Sequence, residues 1–244
     1  MNKFIDILPI KLVNYLKLRH NFFGKITNFT ESISESTLSF NYHFGKVMEE
    51  LNKQLDFIIE LDKLKGVYRQ ALVRSDNNRF ENSAEHSWHI SLTAQILHQY
   101  AVENVNISRV MSMLLIHDIV EIDAGDMFAF SDKKDLAEQE DKEVAAAIRI
   151  FGLLPEEQFL HFKQLWLEFE SAETIDARFA KAMDRVLPLL QNMRNDGGSW
   201  ARHNIAKSQV LERNKYLEGL APQLWGYVCK QIDIAVDKGW LRNE

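Results

Sequence analysis

Residues 113–126, MLLIHDIVEIDAGD, begin as an apolar helix and then carry charge into the same run. Five ionisable side chains stand in this stretch: His117, Asp118, Glu121, Asp123 and Asp126. Burying an unpaired ion costs several kcal/mol, so a packed helix could not hold this cluster without compensation. The stretch therefore predicts a core helix whose acidic groups face a bound positive charge.

Helical spacing brings three of these groups together. Glu121 is four residues after His117 and three after Asp118, and such positions share one face of a helix. A divalent cation would convert the cluster into a coordination site. One helix cannot complete the coordination, so we expect further ligands from other helices. The candidates are His86, early in the helical segment AEHSWH, and Asp184, within the apolar segment FAKAMDRVLPLL.

Two histidines and two aspartates form an N2O2 set that suits Mn, Fe, Co, Ni or Zn. Plainer interpretations exist for the outer members of the set. His86 could be an ordinary core histidine, and Asp184 could pair with Lys181 or Arg185 on an exposed face. Asp123 lies off the common face and is predicted at the surface.

Helical periodicity dominates the rest of the chain, and the sequence predicts an all-α fold. We expect helices over about residues 48–64, 84–102, 108–120, 135–151, 156–171 and 175–193, with two more near the C-terminus. Residues 66–83 are interpreted as a polar loop whose Ser83 caps the next helix. An aromatic stripe, Phe159, Phe162, Trp166 and Phe169, is typical of a core or a dimer interface.

Composition excludes several classes of function. The net charge of −6 disfavours binding to a nucleic-acid backbone, and no apolar run is long enough to span a membrane. The single cysteine, Cys229, permits no intrachain disulfide and favours the cytoplasm. In its helical context this thiol is predicted to be buried.

The first 47 residues differ from the remainder. They carry six Lys and Arg against three Asp and Glu, a net charge of +3, and a Thr/Ser-rich stretch, TNFTESISESTLSF. We expect residues 1–47 to form a weakly ordered or loosely docked extension and residues 48–244 to form the main domain. A sharper hypothesis is that Met48 is the natural start.

Four pieces of sequence together resemble a known superfamily: LKGVYRQ, ENSAEHSWH, HDIVEIDAGD and KAMDRVLPLL. Their order is similar to that of HD-domain metal-dependent phosphohydrolases, in the branch of 5′-deoxynucleotidases, over roughly residues 50–195. The resemblance implies an HD-domain helical bundle with one divalent metal. Gln70 stands where some bacterial members of the branch have a bulky aromatic residue.

The resemblance also implies roles for particular residues. The metal ligands would be His86, His117, Asp118 and Asp184. Glu121 would act on the attacking water, and Asp126 would face the sugar and favour a 2′-deoxyribose. Arg69 would hold the 5′-phosphate, although Arg74 and Arg79 lie in the same basic segment.

The function implied is hydrolysis of (deoxy)nucleoside 5′-monophosphates to nucleoside and phosphate, by a homodimer. One alternative is an HD hydrolase that acts on a nucleoside triphosphate or a cyclic nucleotide, although the sequence has no second His-Asp pair of the kind those branches carry. Another alternative is a non-catalytic, metal-stabilised binding module. An open cavity beside Glu121 and Arg69 would favour the enzyme, whereas a sealed site would favour the module.

Overall fold

A computed structural model describes residues 45–131 and 133–244, without the side chains of Lys133 and Leu136. Residues 1–44 lie outside the described ranges, so the predicted N-terminal extension and the proposed start at Met48 stay predictions. Backbone contacts divide the chain after Leu51. The second unit, Asn52–Glu244, contains every candidate site residue.

The described chain is largely helical, and the prediction of an all-α fold is confirmed. Its α-helices are residues 45–60 (α1), Ser83–Leu97 (α2), Ile107–Ile116 (α3), Glu121–Ala124 (α4), Lys133–Phe151 (α5), Glu156–Ser171 (α6), Ile175–Arg194 (α7), Gly198–Arg202 (α8), Lys207–Asn214 (α9), Leu217–Leu220 (α10) and Pro222–Asp237 (α11). Short 3₁₀ segments cover Leu61–Gly66, His98–Tyr100 and His117–Val120.

The predicted polar loop over residues 66–83 is wrong, because this segment forms a β-hairpin. Strand β1, Tyr68–Val73, pairs antiparallel with β2, Arg79–Asn82. The turn between them holds Asn77 and Asn78 at φ of 50° and 57°, a left-handed conformation that asparagine tolerates. The hairpin matters for function because β1 carries Arg69.

The start of α2 differs from the expected Ser83 cap. The side chain of Asn82 accepts a hydrogen bond from the Glu85 backbone N–H at 2.9 Å, and Glu85 reciprocates in a capping box. Ser83 is instead the first helical residue. Its hydroxyl is therefore available to bond with a site residue, and Glu85 lies in the first turn.

Helices α2, α3 and α7 pack on one another and form the centre of the core. Each contributes side chains with no solvent exposure: Ile90, Ala94, Val110, Met113, Leu114, Phe179 and Met183. Burying a side chain of this kind contributes about 1.5–3 kcal/mol, so these contacts determine how the three helices face each other. Helices α2 and α7 carry the candidate ligands His86 and Asp184, and the 3₁₀ segment with His117 and Asp118 directly follows α3.

The expected continuous helix over residues 108–120 is interrupted. Helix α3 ends at Ile116, and His117–Val120 follow in the tighter 3₁₀ winding before α4. A 3₁₀ stretch within a helical run is often found at functional positions. At the end of α4, Gly125 has a φ of 76°, and this left-handed turn redirects the chain at Asp126.

The aromatic stripe of α6 serves the core. Trp166 and Phe169 are buried, while Phe159 and Phe162 are partly buried against the same cluster.

Cys229 is half-buried, so the prediction of a buried thiol was wrong. Within the described ranges, no helix combines the length and apolar character needed to cross a membrane.

Candidate active site

Three of the four predicted ligands converge from two helices and from the segment that follows a third. His86 lies in the first turn of α2, His117 directly follows α3, and Asp184 lies midway along α7. One ligand atom from each lies within 4.8 Å of the others. The His86 Nε2 is 2.9 Å from Asp184 Oδ1, and the His117 Nε2 is 3.7 Å from the same oxygen.

The fourth predicted ligand, Asp118, lies at the edge of this group. Its Oδ1 is 2.8 Å from His117 Nε2, while its Oδ2 accepts a hydrogen bond from Arg69 Nη1 at 2.6 Å. The tight cluster of three, His86, His117 and Asp184, does not include it. Asp118 therefore offers one oxygen to the site and holds the arginine with the other.

The hydrogen bonds of the two histidines suit a cation. His117 Nδ1 donates to the carbonyl of Leu114 at 2.9 Å, which leaves Nε2 facing carboxylate oxygens. This Nε2 is buried and makes no hydrogen bond with any residue that the structure describes. His86 Nδ1 faces Glu81 Oε2 at 3.4 Å, an arrangement found behind metal-ligating histidines. The donor set therefore fits a divalent ion.

Charges around the histidines displace several pKa values. Burial lowers the pKa of His117, but Asp118 and Asp184 outweigh this effect and raise it to about 10. Burial raises the pKa of Asp118, but His117 and Arg69 bring it down to about 2. Burial also opposes ionisation of Asp184, yet the nearby imidazoles of His117 and His86 hold the pKa well below its ordinary value. The cluster favours ionised carboxylates around a positive charge.

Arg69 is the cation that β1 brings to this cluster. Besides Asp118, its guanidinium lies 3.6 Å from Glu121 and Asp126 and 3.9 Å from Asp184. A single guanidinium cannot balance four carboxylates, so the site retains a demand for positive charge.

The other two candidate arginines lie elsewhere. Arg74 donates to the carbonyl of Arg194, and Arg79 pairs with Asp76 and Glu85.

Glu121 is buried and points into the site. Ser83 Oγ donates to its Oε2 at 2.5 Å. Burial raises the pKa of Glu121 well above its ordinary value, and the nearby Asp118 adds to this. Burial also raises the pKa of Asp126, against the opposing effect of Arg69. A carboxylate with a raised pKa beside a cation site is suited to proton transfer.

An open cavity of about 680 Å³ lies beside these groups. Its wall includes the three acidic residues Asp118, Glu121 and Asp126 together with Arg69 and Asp184. The volume falls within the range of small-molecule sites. An open cavity is the arrangement expected of an enzyme, whereas a binding module would be expected to have a sealed site.

Sequence reasoning missed three residues at this site. Glu81 is buried, and Gln191 Nε2 donates to its Oε1 at 2.7 Å. Ser83 holds Glu121, and Arg213 of α9 lines the cavity. A buried glutamate in RFENSAEH could have been suspected as a partner of His86, but Arg213 has no local sequence signal.

Two residues beside the predicted ligands lie at the surface. Asp123 is exposed, as predicted, and pairs with Arg149. His89, three residues after His86, is also exposed.

Comparison with known proteins identifies the family of this chain. The family model described as HD domain matches residues 61–225, which is more than half of the chain. The chain therefore belongs to the HD domain family, and at this level it is a metal-dependent phosphohydrolase.

Individual proteins of known sequence or structure are also similar to this chain. The chain is 46% identical to a structure of a predicted metal-dependent phosphohydrolase from Magnetospirillum magnetotacticum MS-1, with a TM-score of 0.74 and coverage of 79% of this chain and 96% of that one. It is 27% identical to the 5′-deoxynucleotidase HDDC2 of Homo sapiens, over 65% of this chain and 72% of the relative. The protein of the same name from Danio rerio is 28% identical, over 58% and 68%.

Proposed function

We propose that the protein is a phosphomonoesterase that converts (deoxy)nucleoside 5′-monophosphates to nucleoside and phosphate. The observation that carries the proposal is the convergence of Glu121 and Arg69 on one open cavity beside the His86, His117 and Asp184 cluster. The name of the relatives, 5′-deoxynucleotidase, supports the substrate class.

One divalent ion, of Mn, Co, Fe, Ni or Zn, would be held by His86, His117, Asp118 and Asp184. Such an ion supplies a water of lowered pKa and polarises a phosphoryl oxygen. The protein's part is to orient the histidine nitrogens toward the ion. The carbonyl of Leu114 does this for His117, because it accepts the Nδ1 proton and leaves Nε2 facing the site.

Glu121 aligns the attacking water and accepts its proton. The Ser83 hydroxyl fixes one oxygen of this carboxylate at 2.5 Å and leaves the other for the water. Burial raises the pKa of Glu121, so the carboxylate is a stronger base than one in solvent. General-base catalysis of this kind contributes about 10²–10⁴-fold to rate.

Arg69 and Asp126 contact the substrate itself. The guanidinium of Arg69 stabilises charge on the phosphoryl oxygens. Asp126 accepts a hydrogen bond from the deoxyribose. Gln70, which also lines the cavity, takes the place of the aromatic residue found in some bacterial members. A cytoplasmic location and a homodimer remain proposals from cysteine usage and from the resemblance.

The test is phosphate release from each deoxy- and ribonucleoside 5′-monophosphate, with divalent ions added singly to chelator-treated protein. Triphosphates and cyclic nucleotides serve as comparison substrates. His117→Ala and Asp118→Ala should each abolish metal retention, measured by elemental analysis, and activity with it. His98→Ala removes a half-buried histidine in the 3₁₀ segment after α2, outside the cavity wall, and should change neither.

Release of pyrophosphate in place of phosphate would contradict the assignment, as would full activity in chelator-treated protein. Retained metal in both His117→Ala and Asp118→Ala would overturn the ligand set.

A further inference from the structure

Four cationic side chains line the cavity within the described part of the chain: Arg69, Lys181, Arg185 and Arg213. Three of them are engaged by the protein itself. Arg69 faces four carboxylates, and Lys181 pairs with Glu170 at 2.7 Å. Arg185 donates to the backbone carbonyl of Arg213 at 2.8 Å and lies 4.6 Å from the ring of Tyr216.

Arg213 differs from the other three. Its guanidinium makes no hydrogen bond or ion pair with any residue that the structure describes, and it lies 5.9 Å from the centre of the Phe130 ring. The side chain is nevertheless half-buried. Burial lowers its pKa, with Asp184 acting in the opposite direction. A partly desolvated cation without a partner is costly, and a bound anion would compensate it.

The backbone that carries Arg213 is held in place. Val210 and Asn214, its neighbours on α9, are buried, and Asn214 Nδ2 donates to the Val210 carbonyl at 2.9 Å. The hydrogen bond from Arg185 fixes the carbonyl of Arg213 itself. A group supported in this way is pre-organised for a ligand, because little further ordering is needed on binding.

We propose that Arg213 is a phosphate-binding residue that holds the phosphate of the nucleotide in the cavity. The inference rests on the proposed function for the identity of the substrate. The planar guanidinium can donate two parallel hydrogen bonds to a phosphate. Arg69 shares its donors with Asp118 and other carboxylates, whereas those of Arg213 are uncommitted within the described structure. Arg213 therefore supplies affinity for the dianion that Arg69 alone does not.

The experiment titrates inorganic phosphate into full-length protein by calorimetry, first after chelator treatment and then with Mn²⁺. The variants are Arg213→Met and, as a neutral polar alternative that would also fold if the first did not, Arg213→Gln. Lys215→Met is the matched control, because it removes one positive charge two residues away at an exposed position outside the cavity wall.

Both neutral variants should bind phosphate about 10-fold more weakly or worse, the loss expected for a hydrogen bond to a charged group. Lys215→Met should bind as wild type does. Arg213→Lys keeps the charge but not the paired donors. Its phosphate affinity should lie between that of the neutral variants and that of wild type. In hydrolysis assays the neutral variants should raise KM for a deoxynucleoside monophosphate while metal content stays unchanged.

Unchanged phosphate affinity in the neutral variants, or no detectable phosphate binding by wild type, would overturn the proposal. If wild type binds phosphate through Arg213 but hydrolyses no nucleoside monophosphate with any ion, the proposed function fails and the anion site stands. The two failures are therefore distinguishable.

Discussion

Replacing Glu121 with glutamine tests the central chemical assignment. The substitution preserves size and shape, and the amide oxygen can still accept the hydrogen bond that Ser83 donates to Oε2 at 2.5 Å. What it removes is the negative charge and the ability to accept a proton. Because Glu121 is not one of the four proposed ligands, metal content should stay at the wild-type level.

The size of the effect follows from the proposed role. Loss of a positioned general base costs about 10²–10⁴-fold in rate, so kcat should fall by at least 100-fold. Burial and then Asp118 raise the pKa of Glu121, so its charge destabilises the fold once the pH exceeds that raised value. Glutamine carries no such charge. The thermal midpoint at high pH should therefore not fall, and this separates lost catalysis from lost folding.

The assay measures phosphate release at saturating metal, together with bound metal and the thermal midpoint for each protein. Asp123→Asn is the matched control, since it removes a carboxylate two residues along the same short helix at an exposed position. That change breaks a pair with Arg149, a contact of the exposed kind that contributes about 0–1 kcal/mol. It should leave kcat unchanged.

Full turnover by Glu121→Gln at saturating metal would refute the assignment. Equal losses in Glu121→Gln and Asp123→Asn would also count against it, because they would indicate disturbance of the whole segment.

Two further predictions concern Glu81, which lies behind His86, and Glu143, which lies in the cavity wall. Glu81→Gln should lower metal affinity by about 10–100-fold, measured by chelator competition, because Glu81 orients His86 from 3.4 Å; an unchanged affinity would exclude this supporting role. Burial and then Glu170 raise the pKa of Glu143 from 4.5 to about 6, so the stability linked to this raised pKa is present below pH 4.5 and is lost as the pH rises through 6. Glu143→Gln should therefore raise the thermal midpoint above pH 6 and have little effect below pH 4.5; a gain that did not depend on pH would contradict this.

Much of the fold could be read from local patterns. The helices α5, α6 and α7 begin and end within a few residues of the predicted positions, because Gly152, Pro155 and the apolar spacing act locally. The hairpin before α2 was missed, since its two strands are short and do not alternate strictly between apolar and polar residues, and in the described part of the chain they form a sheet of two strands. The 3₁₀ segment at His117 was missed for a related reason, because an apolar run looks the same in either winding.

The same division holds for the site. The sequence alone determined that His117, Asp118 and Glu121 would lie close together, since helical periodicity is a local property of the backbone. No local pattern distinguishes Arg69 from its two neighbours in the same basic segment: the resemblance favoured it, and the tertiary structure brings it into the cluster. Only the tertiary structure brought Arg213 to the cavity wall, from a helix with no distinguishing pattern. These placements depend on how α2, α3 and α7 pack and on where the hairpin and α9 meet them, and contacts between residues far apart in sequence leave no periodic trace in either segment.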